Sequence, residues 1–85
     1  MLEVELSSAS TRFLKKVDKA LARRLIERIE KLASEPFPSE AKRIINRKEK
    51  IFRVRVGDYR IQYVVLYDRN ILFITDIDKR ERAYN

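Results

Sequence analysis

Residues 52–63 read Phe52-Arg53-Val54-Arg55-Val56-Gly57-Asp58-Tyr59-Arg60-Ile61-Gln62-Tyr63, two alternating runs on either side of Gly-Asp. Alternation with a period of two is the mark of strands whose faces differ. Gly-Asp has the length and composition of a tight hairpin turn with glycine at its first central position, and Gly57 is the single glycine of the chain. A two-residue turn dictates the register. Val56 faces Tyr59, Arg55 faces Arg60, Val54 faces Ile61, Arg53 faces Gln62 and Phe52 faces Tyr63. One face is then apolar and needs covering, while the other carries Arg53, Arg55, Arg60 and Gln62.

Outward from the hairpin, the first strand begins at Ile51 and the second runs on to Tyr67, becoming apolar on both faces at Val64–Leu66 as a central strand does. Asp68-Arg69-Asn70 makes a turn, and Ile71–Ile77 gives a further strand. At the other end of the chain, Leu2, Val4 and Leu6 alternate with Glu3 and Glu5, a half-buried strand at or next to an edge. Ser7 or Ser8 can cap a helix there. Phe13, Leu14, Val17, Leu21, Leu25, Ile26, Ile29 and Leu32 recur every three or four residues from about residue 8 to 34. On one straight helix a spacing of four would rotate that stripe by about 40° per step, so the pattern predicts two helices, broken near Val17–Lys19 with Asp18 as the second N-cap. Pro36 and Pro38 end the second helix, and residues 39–50 read as a polar loop. The expected fold is α+β, in the order β-α-α-β-β-β. Its sheet is mainly antiparallel and four-stranded, with the two N-terminal helices packed on one face, in a single domain spanning residues 1–85.

Composition narrows the chemistry. Eighty-five residues bury a little over ~60% of their unfolded surface, and with no Cys and no His there is neither a disulfide framework nor the usual donor set for structural zinc. The missing His also excludes imidazole catalysis, leaving carboxylate, Lys, Arg and Tyr. No apolar run approaches the ~20 residues of a membrane span, and Glu3 and Glu5 break the plan of a signal peptide. The expected setting is cytoplasmic.

The net charge is +7, and it is unevenly placed. Residues 1–41 hold 8 basic and 7 acidic side chains and residues 61–85 hold 4 and 4, whereas residues 42–60 hold 8 and 2. The excess is carried by Lys42, Arg43, Arg47, Lys48, Lys50, Arg53, Arg55 and Arg60. Basic residues of the first helices alternate with Glu and read as solvated faces. Opposed like charges cost a sheet some tenths of a kcal/mol, up to ~1, so Arg55 opposite Arg60 calls for an anion. Either an external phosphate, which the guanidinium fork matches, or Asp76 or Asp78 on the following strand can supply it.

The element order, the hairpin Phe52–Tyr63 and the tail Asp78-Lys79-Arg80-Glu81-Arg82-Ala83-Tyr84 together resemble the RelE branch of the RelE/ParE toxin superfamily, over essentially the whole chain. The resemblance implies a toxin of a type II toxin–antitoxin system, a metal-independent endoribonuclease that cuts messenger RNA in the ribosomal A site and is restrained by a cognate antitoxin. It implies attack of a ribose 2′-hydroxyl on the adjacent phosphate, with Arg55 and Arg60 at the phosphate, Arg80 at the leaving group and Tyr84 against a base. Arg53, Arg47, Lys48, Lys50 and Gln62 would contact RNA, and no metal or other cofactor is implied. Well-studied members carry Lys where this chain has Arg53 and Arg55. Arg stays protonated, so the proton acceptor is open among Tyr84, Glu81 and a ribosomal group, with action mainly by electrostatics and distortion of the RNA as the alternative. A non-enzymatic module that binds nucleic acid or antitoxin, and a ParE-like gyrase inhibitor, are the alternative functions.

Overall fold

A computed structural model describes residues 1–44 and 50–79. Strand β1 (Glu3–Leu6) leads to helices α1 (Ser8–Lys16) and α2 (Lys19–Ser34), then to β2 (Lys42–Arg43), β3 (Phe52–Val56), β4 (Tyr59–Leu66) and β5 (Ile71–Lys79). The strands form one sheet in the order β1-β5-β4-β3-β2. Among the described residues no helix is long and apolar enough to cross a membrane.

Local chemistry places the helix ends where the sequence expects them. The Ser7 side chain accepts from the Ser10 amide at 3.1 Å, and Asp18 accepts from the Leu21 amide at 2.8 Å. Each cap satisfies an amide that the first helical turn leaves without an internal partner. The break at Val17–Asp18 lets each helix turn its own apolar side to the sheet. On α2 the buried line is Leu25, Ile29, Leu32 and Ala33, while Ile26, included in the predicted stripe, lies off it and is 43% exposed.

The hairpin has the predicted register, from Val56 opposite Tyr59 to Phe52 opposite Tyr63. Gly57 has φ +60, the left-handed value that a first central position demands and that only glycine adopts without cost. Asn70, after the short turn Tyr67–Arg69, is the other described residue with positive φ, at 58°, and its short polar side chain suits that region. The core lies between the helices and one sheet face. Leu25, Ile29 and Leu32 meet Val54, Ile61, Tyr63, Leu72, Ile74 and Ile77. Phe37 closes one end edge-on against Phe52 at 4.9 Å, and Phe13 packs edge-on against Tyr59 at 5.8 Å.

Tyr63 is fully buried, and its hydroxyl donates to the Pro36 carbonyl at 2.6 Å. Burial pushes its pKa up from 10.0 to about 12, with Arg28 opposing and Glu40 reinforcing the rise. Ser10 is the buried polar side chain of α1, and its hydroxyl donates to the Ile74 carbonyl at 3.1 Å. That bond ties α1 to β5 where β5 is irregular. Gln62 pairs with Asp76 but Tyr63 pairs with Ile74, so Thr75 is an extra residue, a bulge that re-aims the strand.

Two features differ from expectation: the number of strands and the exposure of β1. The sheet has five strands, because Lys42–Arg43 pair antiparallel with Phe52–Arg53 inside the stretch read as a loop. Two exposed charged residues carry no alternation, and only the backbone of β3 makes them a strand. β1 is half-covered at best: all four of its residues are exposed, with Val4 at 40% and Leu6 at 38%. It lies at the edge and runs parallel to β5, which is possible because both helices lie in the connection between β1 and the rest of the sheet.

Candidate nucleic-acid interface

Directly paired residues share a face of a sheet, so the register lays out in rows the face opposite the two helices. One row runs Lys42, Arg53, Gln62, Asp76, and the next runs Arg55, Arg60, Asp78. Charge therefore changes sign across the face, from cations on β2 and β3 to carboxylates on β5. Arg55 is exposed, while Arg53, Arg60, Gln62, Asp76 and Asp78 are half-buried among their neighbours.

Arg60 and Asp78 form a two-pronged ion pair. Nε donates to Oδ1 at 3.1 Å and Nη2 donates to Oδ2 at 2.9 Å, with side-chain exposures of 20% and 37%. Of the two anion sources that the sequence leaves open, the carboxylate on the next strand is thus in place for Arg60. Among the described residues no carboxylate lies within salt-bridge distance of Arg53 or Arg55. A partly exposed pair is worth about 0–1 kcal/mol, whereas a hydrogen bond from a charged group to phosphate is worth about 1.5–3 kcal/mol. Competition from Asp78 lowers phosphate affinity at Arg60 by about fivefold at most.

A groove of about 330 Å³ opens beside β3, lined by Glu40, Lys42, Arg53, Val54 and Arg55. A second groove of about 300 Å³, which Arg55 also borders, is lined by Arg24, Glu27, Arg28 and Lys31 of α2 and by Gly57. A Cβ on Gly57 would meet Arg24 Nη2 at 3.2 Å, so the helix cation lies over the hairpin turn. Arg28 is ion-paired with Glu40. A further groove, of about 680 Å³, lies along the C-terminal half of α2 and carries Glu27, Glu30, Glu35 and Glu40 among its lining residues. That mixture of charge suits a polyanion poorly.

Of the residues named from sequence, Arg53, Arg55, Arg60 and Gln62 stand together on one face, and Lys50 is exposed just ahead of β3. Arg47, Lys48, Arg80 and Tyr84 lie outside the described residues. Sequence reasoning did not single out Lys42 as an RNA contact, although it was counted in the basic run, and it set aside Arg24 as part of a solvated helix face. The sheet register brings Lys42 beside Arg53, and helix packing brings Arg24 to the groove that Arg55 borders. Among the described residues no three carboxylates cluster as a metal site would need.

Comparison with known proteins gives concordant results. The family model described as the ParE toxin of the type II toxin–antitoxin system parDE matches residues 4–84. A Methanocaldococcus jannaschii protein bearing the toxin name RelE1 is 37% identical over 83 residues, covering 95% of this chain and 92% of that protein. Among solved structures, the archaeal RelE–RelB complex from Pyrococcus horikoshii superposes with a TM-score of 0.80 at 27% identity, covering 95% of this chain and 97% of the other. The isolated Escherichia coli RelE toxin gives 0.82 at 14% identity, with 96% and 87% covered, a likeness of fold.

Proposed function

We infer, for a chain that belongs to the RelE/ParE superfamily of type II toxin–antitoxin toxins and is RelE-like within it, a metal-independent endoribonuclease that cuts messenger RNA in the ribosomal A site. Residues 1–85 form the toxin domain in this reading. The observation that carries it is the sheet face, covered by neither helix, on which Arg53, Arg55 and Arg60 stand in adjoining rows. Attack of a 2′-hydroxyl on phosphorus gathers negative charge on the phosphoryl oxygens, and fixed guanidinium donors beside that charge lower the barrier. Arg60, held flat by its bonds to Asp78, takes the scissile phosphate. Arg55 shares the phosphoryl charge, and Arg53, Gln62 and Lys50, with Arg47 and Lys48, hold the flanking backbone. Arg80 serves the leaving oxygen and Tyr84 stacks on a base, by the family resemblance alone.

The partner that restrains such a toxin is an antitoxin, as in the RelE–RelB complex of the archaeal relative. A net charge of +7 and a cationic face opposite the helices suit an acidic segment that orders on binding. The test is induction of the wild type and of an Arg60→Ala, Arg80→Ala variant in cells, followed by mapping of messenger 5′ ends on ribosomes. New ends within A-site codons for the wild type alone are expected. Equal cleavage by both, or none by either, removes the reading. Arg at positions 53 and 55, which stays protonated and cannot take a proton, is the observation that favours a second reading, a binding module without cleavage. Salt-dependent RNA affinity with intact messenger on ribosomes would select it.

A further inference from the structure

The geometry points to Asp78 as the group that accepts the 2′-hydroxyl proton, an assignment that rests on the reading just given. Arg53, Arg55 and Arg60 cannot accept a proton, since a guanidinium has donors only and stays charged, and Lys42 as an ammonium likewise offers no lone pair. The chain has no His. Among the described residues of this face, a carboxylate is what remains. Asp76 pairs across to Gln62 and borders a groove with Arg12, Lys15 and Lys16 of α1, whereas Asp78 sits in the row Arg55–Arg60–Asp78, in direct contact with the guanidinium assigned to the phosphate.

Two properties suit Asp78 to the task. A carboxylate offers about four lone-pair positions, and the bonds from Arg60 Nε and Nη2 occupy one on each oxygen. With the side chain 37% exposed, the others can be reached from the open face. The row also orders the participants: cations on β3 and β4 draw the phosphate to one end, and the carboxylate lies at the other, within one side chain of it. A ribose whose 3′-phosphate rests on Arg60 brings its 2′-hydroxyl to the neighbourhood of Asp78.

The step balances without a co-reactant. The 2′ O–H bond breaks and its proton passes to an Asp78 oxygen, while the 2′ oxygen forms a bond to phosphorus. The bond from phosphorus to the 5′ oxygen breaks, and that oxygen takes a proton from solvent. The products are a 2′,3′-cyclic phosphate and a 5′-hydroxyl, and Asp78 returns its proton to water.

The test uses the full chain in single-turnover cleavage on ribosomes programmed with messenger RNA, alongside affinity for the same ribosomes. Asp78→Asn should cleave about 100-fold or more slowly, the usual worth of a positioned base, with affinity unchanged or raised by no more than the roughly fivefold that competition from the carboxylate accounts for. Asp78→Ala should recover on addition of small carboxylates, and acetate should outdo the less basic formate, since proton transfer follows basicity. Asp78→Asn cleaving at the wild-type rate or faster would overturn the proposal, as would rescue indifferent to basicity, which would make Asp78 a positioning residue for Arg60. A wild type that does not cleave removes the endoribonuclease reading, and this assignment with it. A cleaving wild type with an unimpaired Asp78→Asn removes this assignment alone.

Discussion

Replacing Gly57 by Ala tests whether the turn that opposes Arg55 and Arg60 is set by backbone conformation. At φ +60 an L-residue meets its own carbonyl, at a cost of about 1–2 kcal/mol. The new Cβ would also stand 3.2 Å from Arg24 Nη2, but that atom ends a flexible side chain and can move by a few tenths of an ångström at little cost. Against this, alanine narrows the unfolded ensemble and returns about 0.4–1 kcal/mol. The net expectation is a loss of about 1 kcal/mol, or a fall in Tm of about 4–8 °C for a domain of this size. Thermal unfolding followed by circular dichroism measures it, with Asp58→Ala as the comparison, since Asp58 is not among the positive-φ residues and should move Tm by under half as much. Asn, which tolerates the left-handed region, should fall between Gly and Ala. A Gly57→Ala protein that melts within 1 °C of the wild type, or above it, would refute the argument.

Other expectations are independent of the turn. Leu32→Ala, at a fully buried position against the sheet, should cost about 2–5 kcal/mol in denaturant unfolding. Tyr63 has its folded pKa raised to about 12, so the native state keeps a proton that the unfolded chain loses from pH 10 upward. Stability from this group is full below pH 10 and falls as pH rises toward 12, by up to about 3 kcal/mol, and Tyr63→Phe should flatten that part of the pH–stability curve. The buried Thr75 Oγ1 at the bulge finds no hydrogen-bond partner among the described residues, so Thr75→Val should leave stability unchanged or raise it by up to about 1 kcal/mol. Removing Arg53 and Arg55 together should lower the slope of log affinity against log salt for single-stranded RNA by about 1.4, or 0.7 per phosphate contact.

Legibility in the sequence follows the range of the interactions. The hairpin register, the break at Asp18 and the two caps depend on residues a few positions apart, and all three can be read from the chain alone. β2 cannot, because Lys42 and Arg43 become a strand only by pairing with β3, ten residues further on. The parallel pairing of β1 with β5 joins residues nearly seventy positions apart, which no local pattern encodes. The same holds at the candidate site. Alternation puts Arg53, Arg55 and Arg60 on one face, but the choice of Asp78 over Asp76 as partner of Arg60 turns on the β4–β5 register. Arg24 joins this neighbourhood through helix packing over a residue without a side chain.

The central claim is that the cationic sheet face binds and activates a phosphodiester of ribosome-bound messenger RNA, and single-turnover cleavage on purified programmed ribosomes tests it most directly. The wild type should cut within the A-site codon and leave a 2′,3′-cyclic phosphate, and Arg60→Ala should slow the cut by about 100-fold or more while the protein stays folded. Cleavage by Arg60→Ala at the wild-type rate, or intact messenger RNA after incubation with the wild type, would contradict the account.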